Sequence, residues 1–422
     1  MKSGEAVRPP AGRTCRSKPM PVAADLSPRL ARCAALLCLV TAALADDGRG
    51  LKRGGDPNQV SISGLSSGAA MAVQYAVAHS ASVTAVGAVA GPQWGCAGGS
   101  VSRAINDCMC GRAALTPTIN TARQLAARGA IDKLTLGRPQ SLRRAWVFQS
   151  PADETVSSRS GEADATFLTA FIGTAPEVDR GNAVDGSDRA GHGIIAPGGS
   201  DTCAFDGTET SYVRHCGAED NAGKMFQTLF GEGSAYNPSD RAGDVPEAEL
   251  WSFDQKRFIE QAKARGVSVA DDYYNPFWFW WPASSARRQN FDMAEKGYIY
   301  VPPSCRAVGS ACRVHVALHG CKQDARVFAS KAGYNNWAER YKVIVVYPAI
   351  APGEPVAGTV CRSPAVDPSL DAAWAEPNPN GCWDWWGYLD TSSQQGRYLT
   401  SEAPQMQVLR AIITAATASQ AN

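Results

Sequence analysis

A serine stands between two glycines in Gly64-Leu65-Ser66-Ser67-Gly68, with a strand-like run before it and a helix-like run after it. Upstream, Gln59-Val60-Ser61-Ile62-Ser63 has the short alternating pattern of a strand. Downstream, a run of mostly small residues from about Ala69 to Ala78 predicts a closely packed helix. A strand that becomes a helix over so few residues leaves room only for small neighbours around the serine. The turn holds the Ser66 hydroxyl at the C-terminal edge of a sheet, where the helix N-terminus points its free amides. The Ser67 amide then stands ready as an oxyanion donor. A glycine-rich turn that merely contains a serine is the plainer alternative, and the flanking pattern argues against it.

The chain can house such a turn. Of its 422 residues 44% are apolar, with 11 Trp, 12 Tyr and 12 Phe, which excludes wholesale disorder. Its 41 basic and 40 acidic residues leave no excess charge to hold a phosphate backbone, so no nucleic-acid partner is expected. Near the start, Arg29 and Arg32 precede the apolar run Cys33–Ala45, too short to span a bilayer as a helix. The run ends in Ala43-Leu44-Ala45, a small-x-small pattern, followed by Asp46-Asp47. Residues 1–45 therefore read as a secretory signal peptide cut after Ala45, with Met20 as an alternative start. A disordered tail with a short buried helix is the plainer reading. No membrane span is expected, and the destination is the periplasm or the outside. Without residues 1–45 the net charge becomes −4 and ten cysteines remain, an even number that reads as a disulfide set.

Along the rest of the chain, Val83–Ala90 is apolar and Arg144–Gln149 reads as a buried strand. Helical spacing covers 114–130, a piece near 219–230, about 325–341 and roughly 402–418. Late strands are Gly297–Pro302, Val314–Leu318 and Val343–Pro348. Strands separated by helical patterns predict an α/β fold with a mainly parallel central sheet and helices on both faces. No repeat, linker or appended module is visible, so 46–422 is expected to be one catalytic domain.

A serine hydroxyl is inert near neutral pH without a base. Of the five histidines, His79 ends the helix after the turn and His315 lies inside a strand. His215 abuts Cys216, and His319 closes a strand before Gly320. His192, in Ala190-Gly191-His192-Gly193, has glycines on both sides that let a loop carry the imidazole close to other backbone. The acid should follow a strand and lie between Ser and His in the order of α/β-hydrolases. Asp153, after Trp146–Gln149 and Ser150-Pro151-Ala152, does so. Glu154, Asp179, Asp185 and Asp188 are rivals, and a helix N-cap is the alternative role for Asp153.

In that fold a His-Gly loop upstream of the serine supplies the second oxyanion amide. Here the loop, Leu318-His319-Gly320-Cys321, lies far downstream. Reading the C-terminal block before the N-terminal one restores the usual order, which implies a circular permutation. With this order, the motifs Ser63–Gly68, Ala190–Gly193, Gly297–Pro302, His315–Cys321 and Asn380–Tyr388 resemble the single-domain, circularly permuted poly(3-hydroxybutyrate) depolymerases over nearly the whole mature chain. The resemblance implies Ser66 as nucleophile, Asp153 as acid, His192 as base, and oxyanion amides from Ser67 and Cys321. It also implies a substrate crevice lined from Trp383, Trp385 and Trp386. Two features depart from the family: the Ser150-Pro151-Ala152-Asp153 turn, where a glycine is usual, and the aromatic run Pro276–Pro282.

That run carries five consecutive aromatics, expected either to pack over the core or to form a polyester-adsorbing patch or lid. Among the mature cysteines the expected pairs are Cys203–Cys216, Cys305–Cys312 and Cys321–Cys382. Cys96, Cys108, Cys110 and Cys361 are left open. Cys108-x-Cys110 is too short a spacing for a zinc site, so neither metal nor cofactor is expected. The expected partner is a polyester polymer or oligomer, taken by a monomer. A secreted feruloyl or acetyl esterase, a soluble-oligomer hydrolase and a non-catalytic polymer-binding protein are the competing readings.

Overall fold

The short apolar runs become the strands of one eight-stranded sheet. In chain order these are β1 Val60–Leu65, β2 Ala85–Val89, β3 Arg144–Phe148, β4 Glu177–Asp179, β5 Leu250–Asp254, β6 Lys296–Tyr300, β7 Arg313–Leu318 and β8 Val343–Tyr347. This computed structural model describes residues 51–133, 141–231, 235–269, 289–307, 309–353, 361, 378–390 and 396–418. Residues 1–45, expected to be a signal peptide, and the aromatic run 276–282 lie outside the described residues.

The sheet runs β4-β3-β2-β1-β7-β8-β6-β5. All contacts from β4 to β8 are parallel, and β6 is antiparallel to both its neighbours. The fold is therefore α/β with a mainly parallel sheet. Its first strand lies in the middle, paired with β7 from more than two hundred residues later, Ser63 opposite Ala317 and Gly64 opposite Leu318. Read from β5 through the end of the chain and on from its beginning, the strands follow across the sheet in sequence order, except that β7 and β8 exchange places. The two ends of the described fold meet. The Gly54 amide donates to the Ala418 carbonyl at 2.9 Å and that of Gly55 to Ala416 at 3.1 Å. Joined ends of this kind are what a circular permutation requires.

Both faces are covered, which is why β2 (AVGAV) and β8 (VIVVY) are apolar without a break. Ile344 and Val346 face the core shared with helices Ser67–Ala78 and Pro404–Thr417. Val343, Val345 and Tyr347 face the other core, with helices Asn221–Phe230 and Tyr334–Tyr341. Every residue of helix Ser67–Ala78 is buried, so its run of small side chains lets it lie close to the sheet.

The helical pattern over 325–341 forms two helices, Ala325–Lys331 and Tyr334–Tyr341. Gly333 divides them at φ +87°, a conformation costly for any residue with a side chain. Between 150 and 265 the structure holds more than the sequence reading anticipated: helices Ser158–Ile172 and Lys256–Ala264, strands β4 and β5, and a second, three-stranded sheet. That small sheet is built from Ile194–Ile195, Asp201–Thr202 and Val213–His215, with Val213–His215 in the middle. Strands of two or three residues have no periodicity to read.

Candidate active site

The elbow at Ser66 is as tight as its glycines suggest. Ser66 has φ 57° and ψ −118°, a strained conformation for a residue with a side chain and one that concentrates at functional sites. Helix Ser67–Ala78 begins at the next residue. A Cβ on Gly64 would lie 2.3 Å from the carbonyl carbon of Gly68. One on Gly68 would lie 2.3 Å from the Leu318 oxygen and 2.4 Å from that of His319. The second glycine thus lets the helix start press against the end of β7. The Ser66 amide donates to Val89 O at 2.9 Å, tying the turn to β2.

Asp153 and His192 meet, although 39 residues separate them: His192 Nδ1 lies 2.8 Å from Asp153 Oδ2, both residues buried. A carboxylate only accepts, so Nδ1 carries the proton. Asp153 is itself held by four donors. The Thr155 and Val156 amides each reach Oδ1 at 2.9 Å, and Gln149 Nε2 reaches Oδ2 at 3.2 Å beside His192. Gln149 also donates to Val156 O at 2.7 Å, which fixes its amide. The hydroxyl of Ser150 donates to Asp188 O and so joins the acid's turn to the loop before His192.

The other four histidines are occupied elsewhere. His315 lies between Ser61 and Ser63, at 2.8 and 2.7 Å, and burial pushes its pKa down to about 3. His319 accepts from the Ile350 amide through Nε2, and its Nδ1 donates to Gly320 O; burial lowers it to about 4. His79 caps its helix through its backbone and is lowered to about 4, again mainly by burial. The ring of His215 donates to Pro197 O at the surface.

Ser66, Ser67, His192 and Cys321 line one cleft of about 360 Å³, with Trp385 and Trp386 along its wall. Gly320 brings the His319–Cys321 loop close: a Cβ there would be 3.3 Å from that of Ser66. Cys321 is bonded to Cys382, which anchors this loop to the tryptophan segment. Trp383 is a correction. Expected in the crevice, it is wholly buried beneath it and donates its indole N–H to His319 O at 3.0 Å. Its neighbour Asp384 shapes the segment by accepting from the amides of Gly387 and Tyr388, both at 2.8 Å.

All ten cysteines from Cys96 onward are paired. Cys203–Cys216, Cys305–Cys312 and Cys321–Cys382 are joined by Cys96–Cys108 and Cys110–Cys361, the two bonds the sequence left open. Cys108 and Cys110 are therefore not free thiolates.

Several functional-site neighbours were missed from sequence. Gln149 was visible only as the end of a strand. Gln323, which accepts from the Gly320 amide and donates to Ser211 O, carries no local signal. Nor does Arg214, a fully buried cation behind the His192 loop.

The strand order and the elbow define an α/β-hydrolase fold. The chain's sequence is similar to those of poly(3-hydroxybutyrate) depolymerases. It is 29% identical over 367 residues to a poly(3-hydroxybutyrate) depolymerase of Delftia acidovorans, over 85% of this chain and 59% of the relative, so it spans about three-fifths of that protein. It is 26% identical over 358 residues to a polyhydroxybutyrate depolymerase of Talaromyces funiculosus, covering 81% of this chain and 85% of the relative. Two solved structures share the fold at 23% identity, each covering 87% of this chain and 98% of the other. One is a PHB depolymerase from Penicillium funiculosum, with a TM-score of 0.61. The other is a PHB depolymerase complexed with an R3HB trimer, with a TM-score of 0.60. No protein-family model matches the chain.

Proposed function

We propose that this chain is a secreted serine esterase that hydrolyses the ester bonds of poly(3-hydroxybutyrate), or of related short-chain polyhydroxyalkanoates and their oligomers. One observation carries the reading: His192, bonded to the buried Asp153, lines the same cleft as a strained Ser66. The relatives' names support the substrate class.

In the proposed reaction the Ser66 oxygen attacks the ester carbonyl and His192 Nε2 takes its proton. Asp153 holds Nδ1–H and stabilises the imidazolium. The carbonyl oxygen becomes an oxyanion facing the Ser67 and Cys321 amides, each worth about 3 kcal/mol of barrier. The C–O bond to the leaving alcohol breaks as His192 gives that oxygen the proton. Water, deprotonated by the same nitrogen, then adds to the acyl-enzyme. Collapse releases a hydroxyalkanoic acid and restores Ser66. Trp385 and Trp386 give the acyl chain an apolar wall. No step calls for a metal or cofactor.

The leader 1–45, cut after Ala45, would deliver residues 46–422 to the periplasm or the medium as one monomeric catalytic domain. Among the described residues no helix is long and apolar enough to cross a membrane. Ser66→Ala tests the reading on polyhydroxybutyrate film and on a short p-nitrophenyl ester. Loss on both is expected, and full activity on both sinks the proposal.

A further inference from the structure

Among the described residues Arg214 is the only arginine in the set of largest fully buried side chains, and it lies at the back of the catalytic cleft. A cation is costly to bury unless every donor finds an acceptor. Here the acceptors are specific. Nε donates to the carbonyl oxygen of His192 at 2.9 Å. Nη1 donates to Thr202 O at 2.8 Å, with Ala204 O at 3.2 Å and Cys203 O at 3.4 Å. Nη2 meets Glu209 Oε1 at 2.9 Å, and that carboxylate is itself nearly buried. One planar fork therefore ties the His192 backbone to the 202–204 strand end, within a segment closed by Cys203–Cys216.

The glycines flanking His192 fit the same purpose. A Cβ on Gly191 would lie 2.7 Å from Arg214 Nη2, and one on Gly193 would lie 3.1 Å from Nε. In Gly191-His192-Gly193 the absent side chains make room for the guanidinium. Asp153 fixes the imidazole from the ring side, through Nδ1. The backbone beside His192 is held as well, Gly191 N donating to Cys203 O at 2.9 Å and Ile194 N to Tyr212 O at 3.0 Å, and Arg214 adds the anchor at the His192 carbonyl itself.

We propose that Arg214 is a positioning residue for His192, acting through the His192 carbonyl, and that Glu209 holds the arginine in place. The proposal rests on the esterase reading above, in which His192 is the base. A misplacement of the base by about 1 Å costs about 100-fold in rate. The Trp385 and Trp386 wall stays in place, and Arg214, though set in the wall of the cleft, is wholly buried, so the loss should fall on kcat rather than on KM. A lysine keeps the charge but has no planar fork to span His192 O, Thr202 O and Glu209 together.

The test uses the full-length secreted protein, as wild type, Arg214→Lys, Arg214→Met and Glu209→Gln. Three quantities are read: melting temperature, the rate of Ser66 labelling by a fluorophosphonate, and kcat and KM on p-nitrophenyl butyrate. Folded Arg214→Lys is expected to lose about 100-fold in kcat and in labelling rate with KM held within about twofold. Glu209→Gln should fall between it and wild type. If Arg214→Met does not fold, the lysine variant decides. A lysine variant that melts lower but keeps kcat within about twofold makes Arg214 merely structural and overturns the inference. A wild-type chain that takes no label overturns the esterase reading instead, and the inference with it.

Discussion

Asp153→Asn changes one heavy atom and should nearly silence the proposed esterase activity, for reasons the hydrogen bonds make explicit. The carboxylate accepts from four donors: the Thr155 and Val156 amides on Oδ1, and His192 and Gln149 on Oδ2. An asparagine has one oxygen and one NH2 to set against them. With its NH2 turned to Oδ1's place it faces two backbone amides that cannot retreat. With its oxygen there, the NH2 faces Gln149 Nε2 and His192 Nδ1. The second arrangement keeps two good hydrogen bonds and is favoured. It then forces His192 to accept at Nδ1, which places the proton on Nε2. That tautomer cannot take a proton from Ser66. The equivalent substitution in a serine protease lowers kcat by about 10⁴-fold, or roughly 5.5 kcal/mol of barrier. A loss of that order is expected here. The assay is kcat on p-nitrophenyl butyrate, beside a melting curve to show that the fold survives. A folded Asp153→Asn variant that keeps a tenth of wild-type kcat would refute the reasoning, and would move attention to Glu154 or Asp188.

Three further outcomes are expected. Gly68→Ala puts a methyl against two backbone oxygens of the β7 end, 2.3 and 2.4 Å away, so it should destabilise by at least the 1–3 kcal/mol typical of overpacking and depress kcat; unchanged melting and kcat would contradict this. Breaking Cys321–Cys382 with paired serines frees a loop of 61 residues, which is worth about 4 kcal/mol of stability on the chain-entropy model, and should lower kcat by loosening the Cys321 amide; denaturant unfolding and ester kinetics check both. His315, His79 and His319 are pushed down to about 3, 4 and 4 by burial, from 6.5 in the free side chain. Their depressed values mean that stability is present above pH 6.5 and is lost as pH falls toward 4, by about 1.4 kcal/mol per pH unit for each histidine. Urea midpoints that stay flat between pH 7 and 4.5 would rule this out.

Where the sequence was legible, one residue type at one spacing had a single physical use. Gly64 and Gly68 could only flank a tight turn, because any Cβ would strike backbone at 2.3 Å. The buried strand β8 declared itself as an unbroken apolar run, β1 by the alternation of Ser61 and Ser63 with apolar residues, and β7 as an apolar run broken only by His315 after its first residue. The position of the His319–Gly320 loop downstream of Ser66 betrayed the permutation, and the pairing of β1 with β7 has the same cause. What stayed hidden depends on partners far away in the chain. Trp383 sits among tryptophans that line the cleft, and nothing in Trp383-Asp384-Trp385-Trp386 tells which ring faces inward. Its burial follows from the His319 carbonyl that its indole meets, 64 residues upstream. Gln149 reads as a strand end until Asp153 is folded back against it. Arg214 is the extreme case. Sequence reasoning expects an arginine at the surface, and only five acceptors, none within four residues of it, make its burial tolerable. The fold follows from local pattern, whereas the precision of the site is set by side chains whose meaning is entirely non-local. Substitutions at Gln149, Glu209 and Arg214 should therefore disturb the chemistry while leaving the strand order of the sheet intact.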